Sequence, residues 1–171
     1  RDGQTPFELS QKASDGAGGE QAVLEDGMNK YPSSWSPDGR FLLYAAVPGS
    51  PTTGNDLWVL PLSGDRKPFP YLATRFAEFY GLFSPDGRWV AYTSNESGRT
   101  EVYVAAFPGA GGKRQSSTAG GSVPRWRRDG REIFYLDPTN RLMAATVIGQ
   151  GASFEVTAVT ATTLPLDRIY Q

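Results

Sequence analysis

Ser36-Pro37-Asp38-Gly39-Arg40 recurs unchanged as Ser84-Pro85-Asp86-Gly87-Arg88 and, altered at its first two positions, as Arg127-Arg128-Asp129-Gly130-Arg131. The three aspartates are 48 and 43 residues apart, a period that belongs to four-stranded propeller blades of about 40 to 50 residues. Proline presets φ near about −65°, aspartate bonds the backbone ahead of it, and glycine accepts positive φ. Asp38, Gly39, Asp86, Gly87, Asp129 and Gly130 are therefore read as structural turn residues.

The repeat extends outward from the turn. An aromatic precedes each motif (Trp35, Phe83, Trp126), and an apolar run ending in tyrosine follows it: Phe41 to Tyr44, Trp89 to Tyr92, and Glu132 to Tyr135. Those flanks read as a hairpin. A third strand recurs as Asp56 to Leu60, Glu101 to Ala105 and Arg141 to Ala145, with the alternation of a half-buried strand, and a weaker fourth closes each unit. With 20 glycines and 13 prolines in 171 residues, and no apolar run of helical period, almost no helix is expected. The fold class is all-β, a partial propeller of about three and a half four-stranded antiparallel blades.

Blades are placed at 31–76, 77–119 and 120–160, with 161–171 a tail or the start of a further unit. Residues 1–30 supply only two outer strands, Phe7 to Gln11 and Gln21 to Leu24. Closed propellers have about four to eight blades, because each blade buries both faces against neighbours. Either further blades lie in a longer natural chain, or a second copy completes a seven-bladed ring as a homodimer through the open blade ends. The lack of an initiating Met and the opening on Arg1-Asp2-Gly3 favour a piece of a longer chain.

The run from Tyr31 through Trp35 and Arg40 to Asp56-Leu57-Trp58-Val59-Leu60-Pro61-Leu62-Ser63-Gly64 resembles the TolB-like, WD-repeat-like propeller family. Phe83 to Ser94, Glu101 to Val104 and Pro124 to Gly130 extend the resemblance over residues 6–160. It is most similar to the propellers that follow bacterial, especially acidobacterial, serine/threonine protein kinases. Similar blades occur in periplasmic TolB proteins and before peptidase domains. The resemblance implies a bacterial propeller, with an extracytoplasmic setting favoured and a cytoplasmic one open. Arg127-Arg128 departs from the Ser-Pro of the pattern, and no kinase catalytic element is present.

The chain has no His and no Cys, which excludes Ser-His-Asp and Cys-His nucleophile systems and the usual zinc sites within it. Gly109-Ala110-Gly111-Gly112-Lys113 is no phosphate loop, since Phe107 stands where a Walker motif needs glycine and Arg114 where it needs Ser or Thr. The repeat aspartates lack a second nearby carboxylate and read as turns, not calcium ligands. No metal, cofactor or catalytic residue is assigned. Net charge is −1, so no nucleic-acid partner is expected, and no apolar stretch is long enough to insert in a membrane as a helix.

Partner contacts are sought on the face where the loops before the first strand and after the second gather. There lie Tyr31, Phe79 and Tyr80, with the loops Pro48 to Asn55, Asn95 to Thr100 and Asp137 to Asn140. Tyr31 and Phe79 are expected to wedge between blades. Tyr80, Asn95 and Arg99 are candidates for binding a protein or peptide. Arg125, Arg127 and Arg128, with Arg131, are candidates for an acidic or phosphorylated group, against the plainer reading of a solvated hairpin. The innermost strands, taken as Tyr31 to Trp35, Phe79 to Phe83 and Ser122 to Trp126, carry no acid. A non-catalytic interaction or sensor module is the leading function, and an accessory propeller gating a hydrolase located elsewhere is the alternative.

Overall fold

The computed structural model describes residues 8–47, 54–150 and 153–162. Strands follow one another as β1 (Leu9–Gln11), β2 (Gln21–Leu24), β3 (Asn29–Trp35), β4 (Phe41–Val47), β5 (Asp56–Pro61), β6 (Phe69–Leu72), β7 (Glu78–Phe83), β8 (Trp89–Ser94), β9 (Glu101–Ala106), β10 (Arg114–Gln115), β11 (Ser122–Trp126), β12 (Glu132–Leu136), β13 (Leu142–Gln150) and β14 (Ser153–Ala161). No helix occurs among the described residues. Each of the three four-stranded sheets is an antiparallel meander, β3 to β6, β7 to β10 and β11 to β14, and β1 with β2 forms a two-stranded sheet. The chain is an all-β arc of propeller blades.

The strands differ from the sequence reading at β3, β7 and β14; β3 begins at Asn29, two residues before the expected Tyr31 and inside the stretch assigned to the outer pair. Phe7 lies outside the described residues, as do Pro48 to Thr53 of the expected top loop and most of the expected tail. The third blade's closing strand β14 is nine residues long rather than weak, paired along a nine-residue β13. Alternation continues past Ala145 through Thr146, Val147 and Ile148, so the hairpin extends where the other blades turn. The inner strand β7 starts one residue earlier than expected, which places Glu78 on it.

Successive sheets are held by apolar layers. Leu43, Leu57, Val59 and Tyr71 of the first blade meet Phe83, Val90, Tyr92 and Tyr103 of the second. Trp89, Val102 and Val104 in turn meet Ile133, Ala145, Val147 and Phe154 of the third. Leu9 with Val23 and Leu24 covers Leu42, Tyr44 and Leu60 on the first blade's other face. β7 packs on β3, β4 and β5, and β11 packs on β7, β8 and β9. The inner strands thus stand side by side around the arc. At β7 the approach is close enough to require glycine, because a Cβ on Gly81 would stand 2.6 Å from Leu43 Cδ2.

The repeated turn is a closed hydrogen-bond unit. Ser36 Oγ donates to Asp38 Oδ1 (2.6 Å) and accepts from the Phe41 amide (2.9 Å), while Asp38 accepts from the Arg40 amide (3.1 Å) and Nε (2.6 Å). Ser84, Asp86, Arg88 and Trp89 repeat it, with the Ser84 hydroxyl 2.6 Å from Asp86 Oδ1 and 3.0 Å from the Trp89 amide. Ser36's hydroxyl and then Arg40 hold the Asp38 carboxyl down at about 2. Gly39, Gly87 and Gly130 sit at φ +70°, +71° and +72°, the left-handed region that glycine enters without strain.

Candidate functional site

Each inner strand is interrupted at one equivalent place. Pro32, Tyr80 and Val123 stand three residues before Trp35, Phe83 and Trp126. Register shifts fall at Pro32/Ser34, Phe79/Leu82 and Ser122/Arg125. Tyr80 and Val123 take φ of 52° and 54°, a region that costs a non-glycine residue on the order of 1–3 kcal/mol and is worst for a β-branched side chain. Proline, with its ring-locked φ, cannot follow them.

A bulge reverses the alternation of the residues before it. Tyr31 therefore does not wedge between blades as expected, whereas Phe79 is half-buried between them. Tyr31 is 49% exposed and Tyr80 51%, and with Phe79 they line a cleft of about 300 Å³ bounded by Pro32, Ser33, Ala45 and Asn55. The Phe79 and Tyr80 rings lie 6.1 Å apart at 45°. The cleft is aromatic, open and shared by two blades. Its polar groups are the Tyr31 and Tyr80 hydroxyls, the Ser33 hydroxyl and the Asn55 amide, and its lining carries no carboxylate, amine or thiol.

The other sequence candidates lie elsewhere. Asn95 Oδ1 accepts the Ala77 amide (2.9 Å), tying the second blade's β8–β9 turn to the strand entry beside the cleft. Arg99 donates from Nη2 to Thr118 O (2.8 Å) and from Nε to Glu101 Oε1 (2.9 Å). Arg127 pairs with Glu132 (2.8 Å) and Asp129 (3.5 Å). Arg125 Nη1 donates to Pro124 O (2.8 Å), and Arg128 is exposed. Trp126 turns away from these arginines, donating to Leu82 O (3.1 Å).

Sequence reasoning missed the buried charges at the strand entries. Glu78, on an inner strand read as free of acid, is 1% exposed. Burial pushes its carboxyl up to about 7, against the pull of the Thr74 hydroxyl and with the help of Asp56 and Glu96. Lys30 is likewise buried and pairs with Glu8 (3.0 Å) and Asp26. Among the described residues no three His, Cys, Asp or Glu side chains are grouped to hold a metal ion, and no helix is long and apolar enough to cross a membrane.

No protein-family model matches the chain. It is 33% identical over 128 residues to the Tol-Pal system protein TolB of Anaeromyxobacter dehalogenans, covering 74% of this chain and 28% of that protein. The TolB-assigned structure from Agrobacterium tumefaciens superposes with a TM-score of 0.66 at 17% identity, over 90% of this chain and 61% of the other. The fold is that of a TolB-like β-propeller. This TolB-like arc spans under a third of the length of the TolB relative it matches. It is also 36% identical over 86 residues to Tricorn protease homolog 1 of Streptomyces coelicolor, covering 48% of this chain and 8% of that protein.

Proposed function

We propose that this TolB-like arc is a non-catalytic binding module that takes a protein or peptide segment at the Tyr31–Phe79–Tyr80 cleft. The observation that carries the reading is Tyr80. The bulge at φ 52°, a backbone that Val123 shares on the next inner strand, here presents a half-exposed tyrosine beside Tyr31 and Phe79 in one cleft. Tyrosine is also a rigid anchor of the kind enriched at binding hot spots. Asn95 and Arg99 lie outside the lining of this cleft, held by Ala77 and by Thr118 and Glu101, and the arginines at 125, 127 and 128 belong to the opposite end of the inner strand.

The test is selection of peptides on the purified chain from a random displayed library, followed by hydrogen exchange of the complex. Protection concentrated at 31–33 and 79–80, and binding lost in Tyr80→Ala and Tyr31→Ala, is the expected result. Selected peptides that bind both variants unchanged would remove the reading.

The family resemblance favours an extracytoplasmic setting. A second reading, an accessory propeller that gates a hydrolase, is favoured by the match to the Tricorn protease homolog. A peptidase pattern in the same gene supports that reading, and a kinase pattern supports a sensor appended to a kinase. With three four-stranded sheets and one two-stranded sheet among the described residues, completion of the ring falls to further blades or to a second copy. The edge of β1 away from β2 pairs with no strand among the described residues, and Trp35 beside it is 57% exposed. A mass of two chains by light scattering supports the homodimer, and a monomer at the same concentration opposes it.

A further inference from the structure

The geometry points to a second binding site, in the gap between the second and third four-stranded sheets, for a small carboxylate carried on a flat apolar body. Three equivalent hydrogen bonds establish the comparison between gaps: Leu62 N to Arg40 O (2.8 Å), Phe107 N to Arg88 O (2.8 Å) and Val147 N to Arg131 O (2.9 Å). Leu62, Phe107 and Val147 therefore occupy one position of the repeat. In the first gap Phe107 inserts between Phe41 and Phe83, with ring centroids 5.2 and 4.9 Å away, and a hollow of about 340 Å³ remains. In the second gap Val147 stands in its place, and the hollow is about 550 Å³. That volume is within the usual range for small-molecule sites, about 300 to 1,000 Å³.

The long β13–β14 hairpin, peculiar to the third blade, builds the far wall. Its Phe154 lies 5.0 Å from the Trp89 ring and 6.1 Å, edge-on, from Trp126, which gives the pocket an aromatic floor. Flat apolar bodies suit such a floor.

The polar groups of this pocket are unevenly matched. Asp86 is occupied by Ser84 Oγ (2.6 Å), the Arg88 amide (3.1 Å) and Arg88 Nε (2.7 Å). Asp129 accepts the Arg131 amide (3.0 Å) and pairs with Arg127. The acceptors are thus taken. Among the donors left, the guanidinium of Arg131 has no ion pair among the described residues, and Trp89 Nε1, on a residue only 3% exposed, is buried without an acceptor. Trp89 lines the pocket, and Gly149 backs onto the indole so closely that a Cβ there would stand 3.0 Å from Nε1. A buried N–H without a partner is destabilising, and an anionic oxygen satisfies it while pairing with Arg131. Charge and shape together select a carboxylate on an aromatic or short aliphatic body. The site lies at the opposite end of the inner strands from the tyrosine cleft and does not depend on it.

The experiment follows the indole N–H signals of the four tryptophans by ¹H–¹⁵N correlation during titration with benzoate, with benzyl alcohol as the neutral counterpart. The Trp89 signal, assigned from Trp89→Phe, is expected to shift saturably at millimolar benzoate while those of Trp35 and Trp58 stay fixed. Arg131→Ala is expected to weaken the interaction by about fivefold or more, and Val147→Phe, which copies the packing of Phe107, to abolish it. No saturable shift, equal binding of benzyl alcohol, or full binding by Val147→Phe overturns the proposal. Arg131 is exposed, so its variant keeps the test decisive if Val147→Phe does not fold.

Discussion

The two junctions between four-stranded blades bury an acid each, from opposite sides. At the first, the acid is Glu78 on the inner strand, with the Thr74 hydroxyl on one oxygen and nothing on the other, and with Asp56 Oδ1 across the junction also unpartnered. At the second, Gly121 stands in place of Glu78, just before the inner strand β11, and the acid is Glu101 on the third strand, at the position of Asp56 in the first blade. Glu101 is bonded by Ser117 Oγ, by the Gly120 amide (3.0 Å) and by Arg99 Nε (2.9 Å). Ser117 and Thr74 are the same repeat position, four residues before Gly121 and Glu78. One hydroxyl therefore serves acids from two different strands. What separates the junctions is compensation, since a buried carboxylate is tolerated in proportion to the donors and charges it finds.

The comparison breaks most visibly at Glu101. Glu101→Ala removes the acceptor for the Gly120 amide, Ser117 and Arg99, and stability is expected to fall by about 3 kcal/mol, read from urea midpoints at neutral pH. Glu78→Ala is expected to lose far less, because half of that carboxylate has no partner. Equal losses at the two positions would mean that compensation does not distinguish the junctions.

A pH titration sharpens it next. The folded Glu78 carboxyl lies near 7, above the unfolded value near 4.5, so the fold favours the protonated acid. That contribution is complete below about 4.5, shrinks as pH rises from there to 7, and is absent above 7. Glu78→Gln is expected to exceed the parent chain by about 2 kcal/mol at pH 8 and to match it near pH 4. A variant whose urea midpoint keeps the parent's pH dependence would place the titration at another group.

Why the blades were legible and the junctions were not follows from what a repeat displays. Turn chemistry and period-two alternation are local, so Ser36 to Tyr44 and Ser84 to Tyr92 announce their hairpins in any context. Tyr31, Phe79 and Tyr80 were legible as a group on one face. The exposure of Tyr31 and Tyr80 was not, because a bulge reverses alternation without altering composition, and only the mismatch of Pro32, Tyr80 and Val123 at one repeat position hints at it. Glu78 and Glu101 sit at strand entries where a charged residue usually meets solvent, and their burial depends on the next blade. The arginine cluster misled in part for a similar reason: Arg127 replaces the turn serine, and its partner Glu132 is five residues away along the same hairpin.

The turns extend the contrast to smaller effects. Ser84→Ala removes a hydroxyl that both donates to Asp86 and accepts the buried Trp89 amide, and a loss of about 1 to 2 kcal/mol is expected. The third turn has only the exposed Arg127 pairs in that role, so Arg127→Ala is expected to cost about 0.5 kcal/mol or less. Urea midpoints for the two variants would erase the contrast if they fell together.

The smallest expected effect tests what the junctions share. Val123 and Tyr80 hold the same left-handed backbone on successive inner strands, although one borders Gly121 and the other Glu78. Glycine removes that strain and adds chain entropy to the unfolded state, two terms that largely cancel. Val123→Gly is expected to gain about 0.5 kcal/mol, since a β-branched residue is the more strained there, and Tyr80→Gly to gain less because it also gives up ring contact with Phe79. Small effects at both positions, set against unequal ones at Glu78 and Glu101, would locate the difference between the junctions in buried charge and leave the bulge as a common feature of the inner strand. A loss of more than about 1 kcal/mol in Val123→Gly would instead mean that its isopropyl group, not the backbone path, holds β11 in register.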